Sequence, residues 1–408
     1  MLGSWRYAVD GRRDLRIDWL RGIAMICVIV DHSRLTSLLT WFSYERFWLV
    51  TAAELFVVLS GIVLGMVYGH KLVRAGWRSV VRGLGRRALT LYVAFLAVTG
   101  SIVIISAAGV DVSPLVISDN GQADFLWLLD PWSMDWTAWR DIALMRYGPW
   151  PFQIVALYVW LVAASVPCLM ILRFASWRWL LGASWAVYIL YRITPHPLTA
   201  GQFETTFPLM AWQLLFVHGI TIGYHRERFG ALVSRSPRVA AVGVGVAAAA
   251  FVALALCNPW SDGPSALHWT LVSPERFTDL YVRYFALTDL GMGRVLNLAV
   301  ALPLGYALLT WCWTMVRPIG SIVITLGQQS LGAFVLHVYG ILVIAHTPLP
   351  YSHHFWTNTV AQVALILTIA ALLNITQRVS LRRATRSLYN IVGRRAHLGD
   401  HAEATCSS

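Results

Sequence analysis

Ionisable side chains lie within the first hydrophobic segment, in the run RIDWLRGIAMICVIVDHSR, among them Asp18, Arg21, Asp31 and His32. A charged group at the centre of a bilayer costs about 2.5–3.5 kcal/mol on insertion scales, so each one favours a functional role. At about 100° per residue, Asp18, Arg21 and His32 share one helix face, and Asp31 points aside. Asp18 and Arg21 are one turn apart and can pair. This face predicts the lining of a polar cavity.

Polar side chains recur in later hydrophobic segments. Glu54 lies in the second segment, on the same face as glycines 61, 65 and 69. This stripe of small residues predicts close helix packing and directs Glu54 into the bundle. In the ninth hydrophobic segment (319–345), Ser330 and His337 are seven residues apart, so they share a helix face as well.

The depth of these groups follows from the rise of about 1.5 Å per helical residue. Counted from the cytoplasmic ends of their spans, His32 and His337 both lie about 24 Å up, and Glu54 lies about 9 Å below the outer surface. Gln213 and His218 of the sixth segment fall in the same outer half. Two histidines and two carboxylates at similar depth predict a proton-handling centre.

Such a centre can perform acyl transfer. A neutral histidine can take the proton of a sugar hydroxyl while its oxygen attacks a thioester or an ester. A nearby carboxylate can orient the imidazole and stabilise its charged form. Arg21, lower on the same face, can meet a negatively charged donor that arrives from the cytoplasm. The same groups would also serve a proton-coupled transporter, so both functions stay open on the residues alone.

The elements that position these residues are predicted to be membrane-spanning helices. Of 408 residues, 57% are hydrophobic and 13% are charged, whereas a soluble domain carries about 25% charged residues. Apolar segments of about 17–25 residues predict an all-α, polytopic integral membrane protein with about ten transmembrane helices. The predicted spans are 17–40, 48–69, 86–108, 151–172, 178–193, 207–224, 238–257, 291–315, 319–345 and 356–377.

Basic and acidic stretches alternate from loop to loop. Arginines precede the first span and follow every second span, whereas the loops over 109–150 and 258–290 are rich in aspartate. The positive-inside rule therefore predicts that both termini are cytoplasmic. The first span lacks a small-residue cleavage site, so we expect it to stay as an anchor. The predicted organisation is a single transmembrane bundle over 1–395 and a flexible cytoplasmic tail over 396–408, in a bacterial inner membrane.

The net charge of +12 is explained by this bias and by contact with anionic membrane lipid, so no nucleic-acid partner is expected. Cytoplasmic arginines could also hold a phosphorylated donor. The five cysteines suggest no pairing and no metal-ligand spacing, so no metal is expected. The two long outer loops are rich in tryptophan. This is typical of an interfacial belt, although indoles beside carboxylates also suit stacking on sugar rings.

Five stretches, spread in order over nearly the whole chain, carry a resemblance to a known family. They are RDLRIDWLRGIAMICVIVDH at 13–32, AAELFVVLSGIVLGMVYG at 52–69, RRALTLYV at 86–93, FPLMAWQLLFVHGITIGY at 207–224 and LGQQSLGAFVLH at 326–337. In these stretches the sequence resembles the OpgC family, within the wider acyltransferase-3-like membrane proteins.

The resemblance implies a ten-helix bundle that adds succinyl groups to periplasmic glucans. The co-substrate would be a cytoplasmic acyl-CoA, foremost succinyl-CoA. The acceptor would be an osmoregulated periplasmic glucan or a similar cell-envelope polysaccharide. The implied reaction-centre residues are Asp31, His32, Glu54 and His337. Those implied for the donor are Asp18, Arg21, Arg86 and Arg87. We expect the acceptor to meet Gln213, His218 and Ser330.

We therefore expect an O-acyltransferase in which His32 is the general base and Asp31 its partner. Direct transfer is favoured, because the sequence has no nucleophile elbow. Phe95 stands where the family has a histidine, so another acyl group or another glycan stays open. The rival hypothesis is a proton-coupled transporter or flippase of a glycan or lipid-linked sugar, which would use Asp31, His32 and Glu54. No inverted repeat supports that rival. A purely structural protein would leave the intramembrane ionisable groups unexplained.

Overall fold

The computed structural model describes residues 14–43, 46–117, 128–235, 238–260, 268–351 and 354–379. Within these ranges the regular secondary structure is helical, so the fold is all-α. The helices are α1 Leu15–His32, α2 Ala52–Ala107, α3 Ser113–Val116, α4 Trp136–Ala143, α5 Ile154–Phe174, α6 Trp177–Ile193, α7 Leu209–Tyr224, α8 Arg226–Arg235, α9 Arg238–Leu256, α10 Pro274–Leu280, α11 Met292–Trp311, α12 Trp313–Ile319, α13 Ser321–Gln328, α14 Ser330–Ala345 and α15 Phe355–Val379. The tail predicted over 396–408 lies outside the described residues.

Several of these helices suit a membrane. By length and composition, four segments can cross one: α2, α5 with the turn before it (Trp150–Phe174), α11 and α15. A fifth results if α13 and α14 are counted as one bent span. Helix α7 and the Ala241–Leu256 part of α9 are apolar but shorter. The protein is therefore a helical membrane protein, and the number of ten spans stays a prediction.

Helix α2 consists of two arms that fold back on each other. As one straight helix, its 56 residues would extend about 84 Å, far beyond the roughly 30 Å of a hydrocarbon core. Gly76 interrupts it with φ 72°, a left-handed value that suits glycine. A methyl group on Gly83 would lie 2.8 Å from the ring of Tyr68, so the chain reverses here. The two arms carry the predicted spans 48–69 and 86–108.

The first predicted span, 17–40, is too long. Helix α1 begins at the cap Asp14, whose carboxylate accepts from the backbone N–H of Arg16 (3.0 Å) and from the hydroxyl of Tyr306 on α11 (2.8 Å). It ends at His32, because Arg34 adopts φ 54° and turns the chain away from the helical path. His32 therefore occupies the C-terminal end of α1.

The ninth predicted span, 319–345, is broken. Helices α13 and α14 meet at Gln329 with a bend of 97°. Helix α13 lies directly against α1: a methyl group on Gly327 would stand 1.8 Å from the carbonyl oxygen of Asp18, and one on Gly22 would stand 1.9 Å from that of Val323. This backbone contact holds α13 along α1, so α14 has to turn to reach the end of α1.

Close packing of α2 against α7 confirms the predicted glycine stripe. Methyl groups on Gly61 and Gly65 would stand 2.4 and 2.2 Å from carbonyl oxygens of α7, and Gly219 and Gly223 of α7 oppose carbonyl oxygens of α2 in the same way. Because both helices present glycine, their backbones touch, as in small-residue membrane packing.

We expect Gly61→Ala to lower the stability of the protein by about 1–3 kcal/mol, because the methyl group must push α7 away. Gly100→Ala is the matched control on the same helix, since nothing lies within 4 Å of its added carbon. The measurement is the midpoint of thermal unfolding in one detergent. Equal midpoints for the two variants would contradict the packing argument.

Candidate functional site

Two histidines from distant parts of the chain meet at the end of α1. The Nδ1 atom of His32 lies 3.1 Å from the Nε2 atom of His337 on α14. His337 is fully buried, whereas His32 is half-buried and can be reached from outside. The sequence places both residues at one depth, and the structure brings them into direct contact.

A backbone carbonyl defines where the protons of this pair lie. The Nδ1 atom of His337 is 2.5 Å from the carbonyl oxygen of Phe334, which can only accept, so Nδ1 carries the proton. In the neutral ring, Nε2 of His337 is then an acceptor, and Nδ1 of His32 must donate to it. The Nε2 atom of neutral His32 keeps its lone pair, as a general base requires.

Trp150 covers the His32 ring. Its indole packs edge-on against the imidazole with 4.8 Å between ring centroids. The indole N–H donates to the carbonyl oxygen of Pro114 at 2.9 Å, which fixes the ring plane. The guanidinium carbon of Arg34 stands 5.0 Å from the centre of the same indole. The Trp150 indole thus contacts both the His32 imidazole and the Arg34 guanidinium.

Arg34 has an unusual backbone for its residue type. Its φ of 54° is left-handed, which costs a residue with a side chain about 1–2 kcal/mol. Glycine is the common residue at this place after a helix. The side chain is held: one terminal nitrogen donates to the carbonyl oxygen of Ile117 at 3.1 Å, and the guanidinium lies over Trp150.

A cavity of about 70 Å³ lies between α1, α2, α5, α7 and α14. Most of its wall is apolar, with Phe56, Phe216 and Phe334 among the lining residues. The polar lining residues are Arg21, Ser60, Arg87, Tyr158 and Ser330. Phe334 lines the cavity and also supplies the carbonyl oxygen that accepts from His337, so one residue of α14 connects the cavity wall to the histidine pair.

Arg21 and Ser330 form part of one wall of this cavity. A terminal nitrogen of Arg21 donates to the hydroxyl oxygen of Ser330 at 2.6 Å. Arg21 precedes His32 by eleven residues on the same helix, which places it about 16 Å away along the axis. Asp18 is fully buried and accepts from the side-chain amide of Gln328 at 3.3 Å. Asp18 therefore ties α1 to α13, one turn from Arg21.

The neighbouring arginines 86 and 87 differ in position. Arg87 is half-buried and lines the cavity with Arg21, whereas Arg86 is exposed on the other side of the helix. The structure therefore places one of the two predicted donor arginines at the cavity. A donor role for Arg86 stays a prediction.

Glu54 lies in a fully buried ion pair. One carboxylate oxygen accepts from Arg294 of α11, and the other accepts from the backbone N–H of Thr51 at 2.9 Å and from the hydroxyl of Thr51. Arg294 also donates to the carbonyl oxygen of Phe285 (2.6 Å) and to the hydroxyl of Tyr281 (3.2 Å). Glu54 points into the bundle as predicted, and it joins α2, α11 and the segment before α11.

Gln213 and His218 lie at the interface of α6 and α7. The Gln213 side-chain oxygen accepts from the Ser184 hydroxyl at 2.8 Å, and its nitrogen donates to the Ser184 carbonyl oxygen at 2.9 Å. His218 donates from Nδ1 to the carbonyl oxygen of Leu214 and packs edge-on against Trp185. Both side chains make their contacts within this pair of helices. Their predicted role in binding the glycan acceptor stays a prediction.

Asp31 lies half-buried on the last turn of α1, four residues after Cys27. The Nδ1 atom of His32 meets His337, so the orienting group for this nitrogen is an imidazole. The role of Asp31 as partner of His32 stays a prediction.

Three site residues are missing from the sequence-based set. Arg294 lies within the predicted span 291–315, where the energetic argument applied to Asp18 would have found it. Arg34 lies within the predicted span 17–40 but beyond the end of α1, and Trp150 lies just before the predicted span 151–172. Only the folded chain shows that Trp150 contacts both Arg34 and His32. Within the described residues no group of three or more His, Cys, Asp or Glu side chains could hold a metal ion.

Comparison with known proteins agrees with this architecture. The model of one protein family, described as OpgC protein, matches residues 13–380. Neither the curated proteins nor the solved structures contain a match. The matched region covers nearly the whole chain, including α1, the cavity and the histidine pair. This protein therefore belongs to the OpgC family.

Proposed function

We propose that this protein is a membrane O-acyltransferase that transfers an acyl group, foremost succinyl, from cytoplasmic acyl-CoA to a hydroxyl group of a periplasmic glycan. Membership of the OpgC family supports a glucan-modifying acyltransferase. The observation that carries the proposal is the proton arrangement of the histidine pair, which leaves the Nε2 lone pair of His32 available. Arg21, on the same helix as His32, lines a cavity together with Arg87.

The reaction requires one base and one path for the leaving group. The sugar hydroxyl oxygen attacks the thioester carbon while Nε2 of His32 accepts the hydroxyl proton. The carbon–sulfur bond breaks, and the proton passes from His32 to the thiolate, so that CoA leaves as the thiol. His337 accepts the Nδ1–H of His32 throughout and stabilises the imidazolium by holding its orientation.

The spacing of Arg21 and His32 suits a CoA donor. The pantetheine arm has about thirteen bonds between sulfur and phosphorus, which extend over roughly 15 Å at about 3.3–3.6 Å for every three bonds. Arg21 lies about 16 Å below His32. A thioester at His32 would therefore place the phosphate of the arm beside Arg21 and Arg87, which suits guanidinium groups.

The membrane arrangement is part of the proposal. We infer ten crossings in a bacterial inner membrane, with both termini in the cytoplasm, so that the cavity opens toward CoA and His32 toward the periplasm. The arginine-rich loops support this orientation. Membrane lipid and the glycan are the expected partners.

The direct test uses purified protein in nanodiscs, with CoA donors labelled in the acyl group and a periplasmic-type glucan. Transfer of label to the glucan together with release of free CoA would support the proposal. Neither event with succinyl-CoA, acetyl-CoA or other acceptors would favour the proton-coupled transporter instead.

We expect Arg87→Ala to raise the KM for acyl-CoA by about 10-fold or more, because one charge-assisted hydrogen bond is worth about 1.5–3 kcal/mol. Arg86→Ala is the matched control, since the neighbouring side chain is exposed and away from the cavity. The measurement is KM and kcat at saturating glucan. Equal effects of the two variants would argue against the donor position.

A further inference from the structure

Arg34 is a cation that two direct contacts connect to the His32 ring. Its guanidinium carbon lies over Trp150 at 5.0 Å, and Trp150 lies 4.8 Å from the His32 ring. These two distances set an upper limit of about 10 Å between the guanidinium carbon and the centre of the imidazole. Arg21, by contrast, is about 16 Å away along α1.

The group that can meet Arg34 follows from bond lengths. A reacting carbon approaches its nucleophile to about 3–3.5 Å, and the nucleophile lies within hydrogen-bond reach of its base. A four-carbon dicarboxylic acyl group places its second carboxyl carbon about 4 Å further on, at three bonds. An ion pair then bridges up to about 4 Å between nitrogen and oxygen. Together these lengths reach Arg34.

The direction in which the donor would approach His32 also favours Arg34. The pantetheine arm approaches His32 from the side of Arg21, so the acyl group projects past the thioester carbon toward the end of α1. Arg34 and Trp150 occupy that end. The indole supplies an apolar surface for the methylene groups. A guanidinium has five N–H donors in a planar fork that matches a carboxylate, and at Arg34 one terminal nitrogen of this fork also donates to the carbonyl oxygen of Ile117.

We propose that Arg34 is a specificity-determining residue that binds the free carboxylate of a dicarboxylic acyl group while the thioester carbon lies at His32. This inference rests on the proposed acyl transfer. The carboxylate itself does not react: the bond formed joins the sugar oxygen to the thioester carbon, and the bond broken is carbon–sulfur. Arg34 therefore selects the acyl group, and the hydroxyl proton still goes to His32.

The left-handed backbone of Arg34 provides a favourable test. Glycine adopts φ 54° without strain, so Arg34→Gly removes the cation and suits the backbone better than arginine does. Its melting temperature should be at least that of wild type. Arg34→Lys keeps the charge and loses the planar fork.

The experiment offers succinyl-CoA and acetyl-CoA, labelled differently, in competition to wild type, Arg34→Gly and Arg34→Lys in nanodiscs. The readout is the ratio of kcat/KM for the two donors. We expect wild type to favour succinyl, and Arg34→Gly to lower the ratio about 10- to 100-fold, the worth of one charge-assisted hydrogen bond. Arg34→Lys should fall between them.

The outcomes separate the inference from the function. A ratio that stays unchanged in Arg34→Gly, or a wild type without preference for succinyl, overturns the role of Arg34 and leaves acyl transfer standing. Equal loss of both donors in a stable Arg34→Gly protein also overturns it, because a specificity residue must act on one donor. Absence of transfer from either donor in wild type refutes acyl transfer, and the inference with it.

Discussion

Replacing His32 with alanine lowers the rate of acyl transfer by about 10²–10⁴-fold, the usual contribution of a positioned general base. The loss should appear in kcat, because the imidazole acts on the proton that moves during the reaction, whereas Arg21, which is proposed to hold the donor, lies about 16 Å away along α1. The measurement is label transfer to glucan and release of CoA, with saturating donor.

Two further variants make this result specific. His70→Ala is a control, since His70 is exposed on the first arm of α2. His337→Ala should lower kcat by a smaller factor than His32→Ala, because His337 acts through the orientation of His32. Wild-type transfer by a folded His32→Ala protein would remove His32 from the reaction centre.

Arg294→Met lowers the stability of the protein by about 3–5 kcal/mol, the usual cost of a buried charge that loses its partner. Glu54 and Arg294 are both fully buried, so water cannot replace the lost guanidinium. The measurement is thermal unfolding in detergent. The Arg192→Met variant is the control, because Arg192 pairs with Asp289 at the surface, where such pairs contribute at most about 1 kcal/mol.

The double variant Glu54→Gln, Arg294→Met separates stability from catalysis. Without either charge, much of the lost stability should return. Acyl transfer by this variant would assign Glu54 to the fold. A stable but inactive double variant would support the predicted place of Glu54 in the reaction centre.

The sequence predicts those parts of the site that lie on one helix. The face of α1 that carries Asp18, Arg21 and His32 follows from helical periodicity, and the glycine stripe of α2 predicts its contact with α7. The free-energy cost of placing a carboxylate inside the membrane singled out Glu54, because such groups usually have a structural or functional role. The family resemblance implied a donor-binding role for Arg87, and the structure places this residue in the cavity lining.

Relations between helices required the structure. His337 was expected at the depth of His32 on the assumption of a straight ninth span, and that assumption is wrong: the pair meets because α14 turns by 97°. The partner of Glu54 depends on how α11 packs against α2. Arg34 follows α1 and Trp150 precedes α5, with α2 between them in the chain, and no local pattern connects them.

The break at Gln329 also affects the electric potential inside the bundle. Helix α14 starts at Ser330, so its first backbone N–H groups have no carbonyl one turn earlier in their own helix and give that end a partial positive charge of about half an elementary charge. Ser330 lines the cavity together with Arg21 and Arg87. In a continuous helix these N–H groups would have donated to carbonyl groups of the preceding turn, and no partial charge would have remained at this point. The last carbonyl groups of α13, which ends at Gln328, lie at the same break and offset part of this charge. The bend thus adds a reduced backbone contribution to the attraction of anions, one that no side-chain substitution removes.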